Sequence, residues 1–204
     1  MALKLLFYWL FDVGIRQRVL PNCMFYYPNK PVRIYTPDKI LGIIERSVPD
    51  WICQPKWNGK RVEIDYTGKV KLFSREGRYW EKEQWPWLTE LPLDAPWFLD
   101  GELLPGKKIY IWDYAVMNGI PQYKEPYKIR LDYLTSRLTP ITFINNGQTL
   151  SLVQTLPATA YEAFLGRKGD ALLEGIVWKK LTATNLWGPY STSELPSQIK
   201  YRFK

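Results

Sequence analysis

The residues best suited to chemistry begin with Lys56, in the stretch Gln54-Pro55-Lys56-Trp57-Asn58-Gly59-Lys60-Arg61. A lysine between an apolar entry (Trp51, Ile52) and a glycine turn can serve as a nucleophile. Its ammonium loses a proton near neutrality when the surroundings are dry or already cationic. Further stretches carry compatible groups. Ser74-Arg75-Glu76-Gly77-Arg78 sets two arginines about a glycine. Asp100-Gly101-Glu102 sets two carboxylates about another. Glu174-Gly175-Ile176-Val177-Trp178-Lys179-Lys180 opens with a carboxylate and closes with lysines. In Lys200-Tyr201-Arg202 the two cations share one face of a strand, because side chains two apart point the same way. Taken singly, an acidic residue before glycine is usually a turn, and alternating cations are usually a solvated face.

Composition narrows the chemistry. The 204 residues include no histidine and two cysteines, Cys23 and Cys53. A Cys/His zinc cluster and any Ser-His or Cys-His dyad are therefore excluded. Acid–base and nucleophilic work falls to Lys, Arg, Asp, Glu and Tyr, with a metal held on carboxylates as the available helper. Two cysteines do not make a disulfide framework, so the reading expects a reducing, intracellular (cytoplasmic) setting. The formal net charge of +8 favours a polyanionic partner, nucleic acid above all. Ten tryptophans and fourteen tyrosines suit large aromatic cores, and also surfaces that stack on bases. The apolar run Leu5–Phe11 is too short to span a bilayer, so no membrane partner is expected, and the run is read as a buried strand or helix.

The elements that must position these residues follow from periodicity. Thr36 and Pro37 start a helix over 37–46 with Ile40, Ile43 and Ile44 on one face. The segment 51–74 reads as β structure, with a hairpin of 61–66 and 69–73 about Thr67-Gly68. Residues 80–98 are Trp/Pro-rich and irregular. Strands are expected over 97–104 and 107–116, joined by Pro105-Gly106. A helix is expected over 126–138, with Ile129, Tyr133, Leu134 and Leu138 inward, and another over 159–167. Strands over 171–180 and 197–204 complete the chain. The result is a strand-heavy, largely antiparallel α+β fold, read as a single domain over 1–204.

In order and spacing these stretches resemble the lysine-dependent nucleotidyltransferases: ATP-dependent DNA ligases, RNA ligases and mRNA capping guanylyltransferases. The Lys-x-Asp-Gly-x-Arg motif stands as Lys56 to Arg61, Ser-Arg-x-Gly as Ser74 to Gly77, and Asp-Gly-Glu as Asp100 to Glu102. The aromatic-Asp element is Trp112-Asp113, Glu-Gly-x-Val-x-Lys is Glu174 to Lys179, and the final Lys-x-Lys is Lys200 to Arg202. The resemblance implies an ATP-grasp-like adenylation domain of two packed sheets and a few helices. Lys56 would form a lysyl-AMP phosphoramidate from ATP. Gln54 would read the adenine edge, Trp112 would stack on the purine, Glu102 would contact the ribose, and Arg61 and Arg75 would contact sugar and phosphate. Lys179, Lys200 and Arg202 would sit on the phosphates, and the cations would help to deprotonate Lys56. Glu102 and Glu174 would be the carboxylates on the side of a magnesium (or manganese) ion.

Three departures qualify the match. Asn58 stands where the ligases carry Asp, Arg202 replaces a lysine, and Gln198 occupies a position that is often Trp. The reading expects no OB-fold domain. It leaves open whether the enzyme is minimal, of phage or viral type, whether a partner chain supplies the clamp, or whether the sequence is a piece of a longer protein. The implied activity is sealing of 5′-phosphate and 3′-hydroxyl ends in nicked or broken DNA. An RNA ligase and a catalytically weak nucleic-acid-binding module remain as alternatives.

Overall fold

A computed structural model of the chain describes residues 18–20, 23–25, 32–33, 36–66, 70–74, 77–80, 88, 97–117, 120–138, 143–145, 148–184 and 197–203. The expectations for residues 5–11, for Thr67-Gly68, for Arg75 and for most of 80–96 lie outside these described residues.

In chain order the first elements are β1 (Arg18–Leu20), β2 (Cys23–Phe25), β3 (Val32–Arg33) and α1 (Pro37–Ile44). Next come β4 (Trp51–Trp57), β5 (Lys60–Asp65), β6 (Lys71–Ser74), β7 (Trp97–Leu104), β8 (Lys108–Met117) and β9 (Ile120–Pro121). The remainder are α2 (Tyr127–Leu138), β10 (Phe143–Asn145), β11 (Gln148–Leu152), β12 (Leu156–Pro157), α3 (Glu162–Leu165), β13 (Leu173–Lys180) and β14 (Gln198–Arg202). β1 and β2 pair with each other. One sheet runs β12-β4-β13-β14-β3. The larger runs β10-β11-β8-β7-β5-β6, with β9 on β8. Pairing is antiparallel except β11 on β8 and β14 on β3. The fold is α+β, built on two mostly antiparallel sheets, as the periodicity predicts.

Alternation decides which face each strand buries. In the smaller sheet Trp51, Cys53, Ile176, Trp178 and Ile199 point one way and pack under Ile40 and Ile44 of α1. The residues between them, Ile52, Gln54 and Lys56 on β4, are left to face the larger sheet. Phe73, Phe98, Ala115 and Val116 meet Ile52 in the layer between the sheets. Val62, Ile64, Leu99, Ile109 and Ile111 cover the far face of the larger sheet with Leu134 and Leu138 of α2.

The helices differ from their expected limits for local reasons. Thr36 caps α1, accepting the Lys39 N–H at 3.3 Å, and Pro37 opens it. The helix stops at Ile44 rather than Arg46 and continues as a 3₁₀ turn over Glu45–Asp50, where Pro49 disfavours α geometry for the residue before it. The helix expected over 159–167 is a 3₁₀ turn at Ala158–Tyr161 followed by the short α3. The segment 139–157, for which periodicity suggests no element, supplies β10, β11 and β12. α2 is the crossover that lets β11 lie parallel to β8.

The orientation of α2 is a correction. Ile129 is 52% exposed, whereas Tyr127, Arg130, Leu131, Leu134 and Leu138 are buried. Arg130 takes the inward position because Asp113 on β8 meets it there. Nε lies 2.8 Å from Oδ1 and Nη2 3.1 Å from Oδ2. Nη1 donates to the Glu125 carbonyl. Removing one partner of such a buried pair leaves an uncompensated charge. Arg130→Met is therefore expected to lower the unfolding free energy by about 3–5 kcal/mol, read as a lower urea midpoint. A variant of unchanged midpoint would show that the pair does not hold α2 on the sheet.

Candidate active site

The smaller sheet builds the floor of the site through its register. Lys56 pairs with Gly175, which pairs with Arg202. Gln54 pairs with Val177, which pairs with Lys200. Ile52 pairs with Lys179, which pairs with Gln198. Residues facing each other across strands share a face, so the three rows lie on the side of the sheet that carries the cleft. The central glycine is needed for close approach: a Cβ on Gly175 would come within 2.0 Å of the Tyr201 carbonyl oxygen.

Strict alternation would turn Glu174 to the opposite face. A bulge prevents this, because Leu173 pairs with Trp57 and Gly175 with Lys56, leaving Glu174 as the extra residue. Such an insertion re-aims a side chain. The Glu174 carboxylate accordingly lies in the cleft, with Oε2 2.5 Å from Lys56 Nζ and Oε1 on Arg202 Nε. The nearest charged partner of Lys56 is thus a carboxylate and not the cations of the sequence expectation.

The larger sheet forms the opposing wall in the same manner. Arg61 pairs with Glu102, and Glu63 with Asp100. On β8, Asp113 pairs with Asp100 and Ile111 with Gly101, so Trp112 is a second bulged residue. Its indole Nε1 donates to Asp100 Oδ2 at 2.6 Å. Asp100 also takes Arg61 through two hydrogen bonds, of 2.8 Å from Nε and 2.5 Å from Nη2. The Arg61 guanidinium lies 5.4 Å from the Trp112 ring centre and Lys179 Nζ 5.5 Å from it. Cations over an indole are attracted by its negative face.

Two ionisable groups titrate near neutrality. Burial pushes the Glu102 carboxyl up to about 7, against the pull of Lys56, Arg61 and the Gly59 N–H that it accepts at 3.1 Å. Burial pulls the Lys179 ammonium down to about 7, although Asp113 and Asp100 favour its charge. Gln54 is 2% exposed, and its Nε2 donates to Tyr127 Oη at 3.1 Å and Thr155 Oγ1 at 2.9 Å. Cys53, on the other face of β4, donates its Sγ–H to the Pro157 carbonyl. Burial pushes that thiol up to about 12, which removes it as a nucleophile.

Lys56, Gln54, Arg61, Glu102, Trp112, Glu174, Lys179, Lys200 and Arg202 all line one cleft of about 480 Å³. Arg75 is outside the described residues. Asn58 lies apart: it is exposed and donates Nδ2 to the Ala171 carbonyl at 3.4 Å, tying the β4–β5 turn to the approach to β13. Tyr127 and Thr155 are additions that motif spacing could not supply. They lie far from the motifs in sequence; Thr155 bears on the cleft through Gln54, and Tyr127 through Gln54, the Trp112 carbonyl and Lys179. No cluster of three or more Asp, Glu, Cys or His able to hold a metal occurs among the described residues. The donor set, two cleft carboxylates, fits an ion such as magnesium that takes one or two carboxylates and completes its shell with phosphate oxygens and water. No helix among the described residues is long and apolar enough to cross a membrane.

No family model and no curated protein matches the sequence. Solved structures do match in fold. The ligase domain of M. tuberculosis LigD is 19% identical with a TM-score of 0.58, over 87% of this chain and 61% of that one. A mycobacterial DNA ligase D complexed with ATP and MES is 20% identical with a TM-score of 0.54, over 74% and 54%. A Lig E DNA ligase, described as binding DNA with a minimal scaffold, is 15% identical with a TM-score of 0.53, over 85% and 69%. This chain thus spans less than two thirds of the length of the first two. At these identities the likeness is one of fold: the chain shares the fold of these DNA ligase domains.

Proposed function

We propose that the chain is an ATP-dependent polynucleotide ligase, with nicked or broken DNA as its substrate, and that it works through a lysyl-AMP intermediate on Lys56. The observation that carries this reading is the position of the Lys56 amine. It is held by Glu174 on the floor of a cleft whose opposite wall carries Glu102, Arg61 and Trp112. ATP in a mycobacterial ligase of the same fold is further support.

In the first step the Lys56 nitrogen attacks the α-phosphorus of ATP. A nitrogen–phosphorus bond forms, the bond from that phosphorus to the bridging oxygen breaks, and pyrophosphate leaves. Glu174 Oε2 is placed to take the proton that the amine gives up. Lys200, Arg202 and the charged form of Lys179 stabilise the negative charge that develops on the phosphate oxygens. Magnesium or manganese, when bound, would neutralise phosphate charge, with Glu102 and Glu174 as the carboxylates available to hold it. In the second step a 5′-phosphate oxygen displaces Lys56 from the adenylyl group. In the third, a 3′-hydroxyl attacks that end phosphate and AMP leaves.

The direct test is incubation with α-labelled ATP and magnesium or manganese. Wild-type protein is expected to carry covalent, acid-labile label, and Lys56→Ala none. Wild-type protein without label under either metal would leave a nucleic-acid-binding module as the better reading. Comparison of nicked duplex DNA, nicked RNA and single-stranded RNA then reads the substrate. Joining of DNA nicks is expected, and joining of RNA alone would assign the RNA ligase reading.

The two groups near 7 predict the pH dependence. Glu102 accepts most strongly from a ribose hydroxyl when ionised, so activity rises as pH passes upward through about 7. Lys179 must be charged to meet phosphate, so activity falls as pH passes further upward through about 7. At subsaturating ATP the labelling rate should be bell-shaped with a maximum near neutrality. Glu102→Gln should remove the acid limb and Lys179→Arg the alkaline limb. Profiles that keep both limbs in these variants would assign them to other groups.

A further inference from the structure

We propose that Tyr127 and Thr155 set the choice of nucleobase by locking the Gln54 amide with its oxygen toward the cleft. This deepens the preceding reading and rests on it in one respect, that a nucleotide occupies this cleft. Neither residue is catalytic. Both act through Gln54 and are positioning residues.

The argument is a count of protons. The Gln54 amide nitrogen carries two, and both are used, one on Tyr127 Oη at 3.1 Å and one on Thr155 Oγ1 at 2.9 Å. Each of those hydroxyls has one proton of its own. Tyr127 spends it on the Trp112 carbonyl at 2.7 Å, and Thr155 on the Val153 carbonyl at 3.3 Å. Burial holds the Tyr127 phenol well above its usual pKa, so that proton stays in place. The second lone pair of Tyr127 takes Lys179 Nζ at 3.3 Å. Both hydroxyls are therefore acceptors toward Gln54. If the amide turned over, its oxygen would face their lone pairs, and two backbone carbonyls would have to be abandoned to relieve it.

What remains is the Gln54 oxygen. It takes no hydrogen bond from any described residue, and the side chain lines the cleft although it is 2% exposed. The Trp112 carbonyl receives the Tyr127 proton, so the amide edge and the indole are tied to the same hydroxyl. A purine stacked on Trp112 would turn its edge to an acceptor. Adenine offers an exocyclic amine there, a donor. Guanine offers a carbonyl oxygen, a second acceptor. A buried polar group facing the wrong partner costs far more than a missing methylene would.

The experiment measures equilibrium affinities for ATP, GTP and purine riboside triphosphate, which lacks the exocyclic amine, alongside covalent labelling of Lys56. Wild-type protein is expected to prefer ATP over GTP by at least about 100-fold, with purine riboside triphosphate between them. Tyr127→Phe keeps the ring and removes the oxygen. It should lower the ATP-to-GTP ratio by at least about tenfold, as should Thr155→Val, while Thr155→Ser keeps the wild-type ratio. Equal weakening of ATP and GTP in both Tyr127→Phe and Thr155→Val, or no preference in wild-type protein, would overturn the proposal. The two readings fail separately: absent label sinks the ligase reading, whereas the affinity ratio judges the roles of Tyr127 and Thr155.

Discussion

The antiparallel register of β4, β13 and β14 is the constraint on which the site depends. It sets Lys56, Gly175 and Arg202 in one row and Gln54, Val177 and Lys200 in the next. The same alternation sends Trp51, Cys53, Ile176 and Trp178 to the other face, where α1 covers them. Core and site are thus two sides of one hydrogen-bond pattern. A slip of one residue would turn the lysine row into the core and the tryptophans into the cleft. The apolar face therefore holds the register, and the register holds the chemistry.

The bulges are the exceptions that complete this arrangement. Glu174 and Trp112 are each the extra residue in a strand pair, and for Glu174 the insertion turns the side chain into a cleft from which alternation would exclude it. Glu174 then ties Lys56 to Arg202, and Asp100 ties Trp112 to Arg61. Both walls present cations anchored by carboxylates. Such anchoring fixes long, flexible side chains in advance, and so removes part of the ordering cost that binding an anionic ligand would carry.

Burial gives the cleft its second property. Glu102 and Lys179 are both held near 7, the one raised and the other lowered, because each charged form is short of solvent. The Asp113–Arg130 pair behind them serves a different purpose. It seats α2 on β8, which puts Tyr127 under Trp112 and beside Gln54. The buried ion pair and the hydrogen bonds that hold Gln54 are therefore coupled through one helix turn.

The sequence alone determined the strand-rich α+β class, the strands that carry Lys56, Asp100, Glu102, Glu174 and Lys200, and the order of motifs that likened them to nucleotidyltransferases. These features are local: alternation, glycine turns and residue types at short spacing survive in a one-dimensional pattern. It misjudged the inward face of α2, since Ile129 looked more buriable than Arg130 and only Asp113, seventeen positions earlier, makes the arginine the better fit. It offered no element for 139–157, because β11 exists only where β8 offers it an edge. Tertiary structure decided the rest. The partnership of Lys56 with Glu174, the bulge that aims Glu174, and the grip of Tyr127 and Thr155 on Gln54 all join residues far apart in the chain. Contacts of that kind are set by how strands pair and which groups lose their water, and neither is written in the spacing of neighbouring residues.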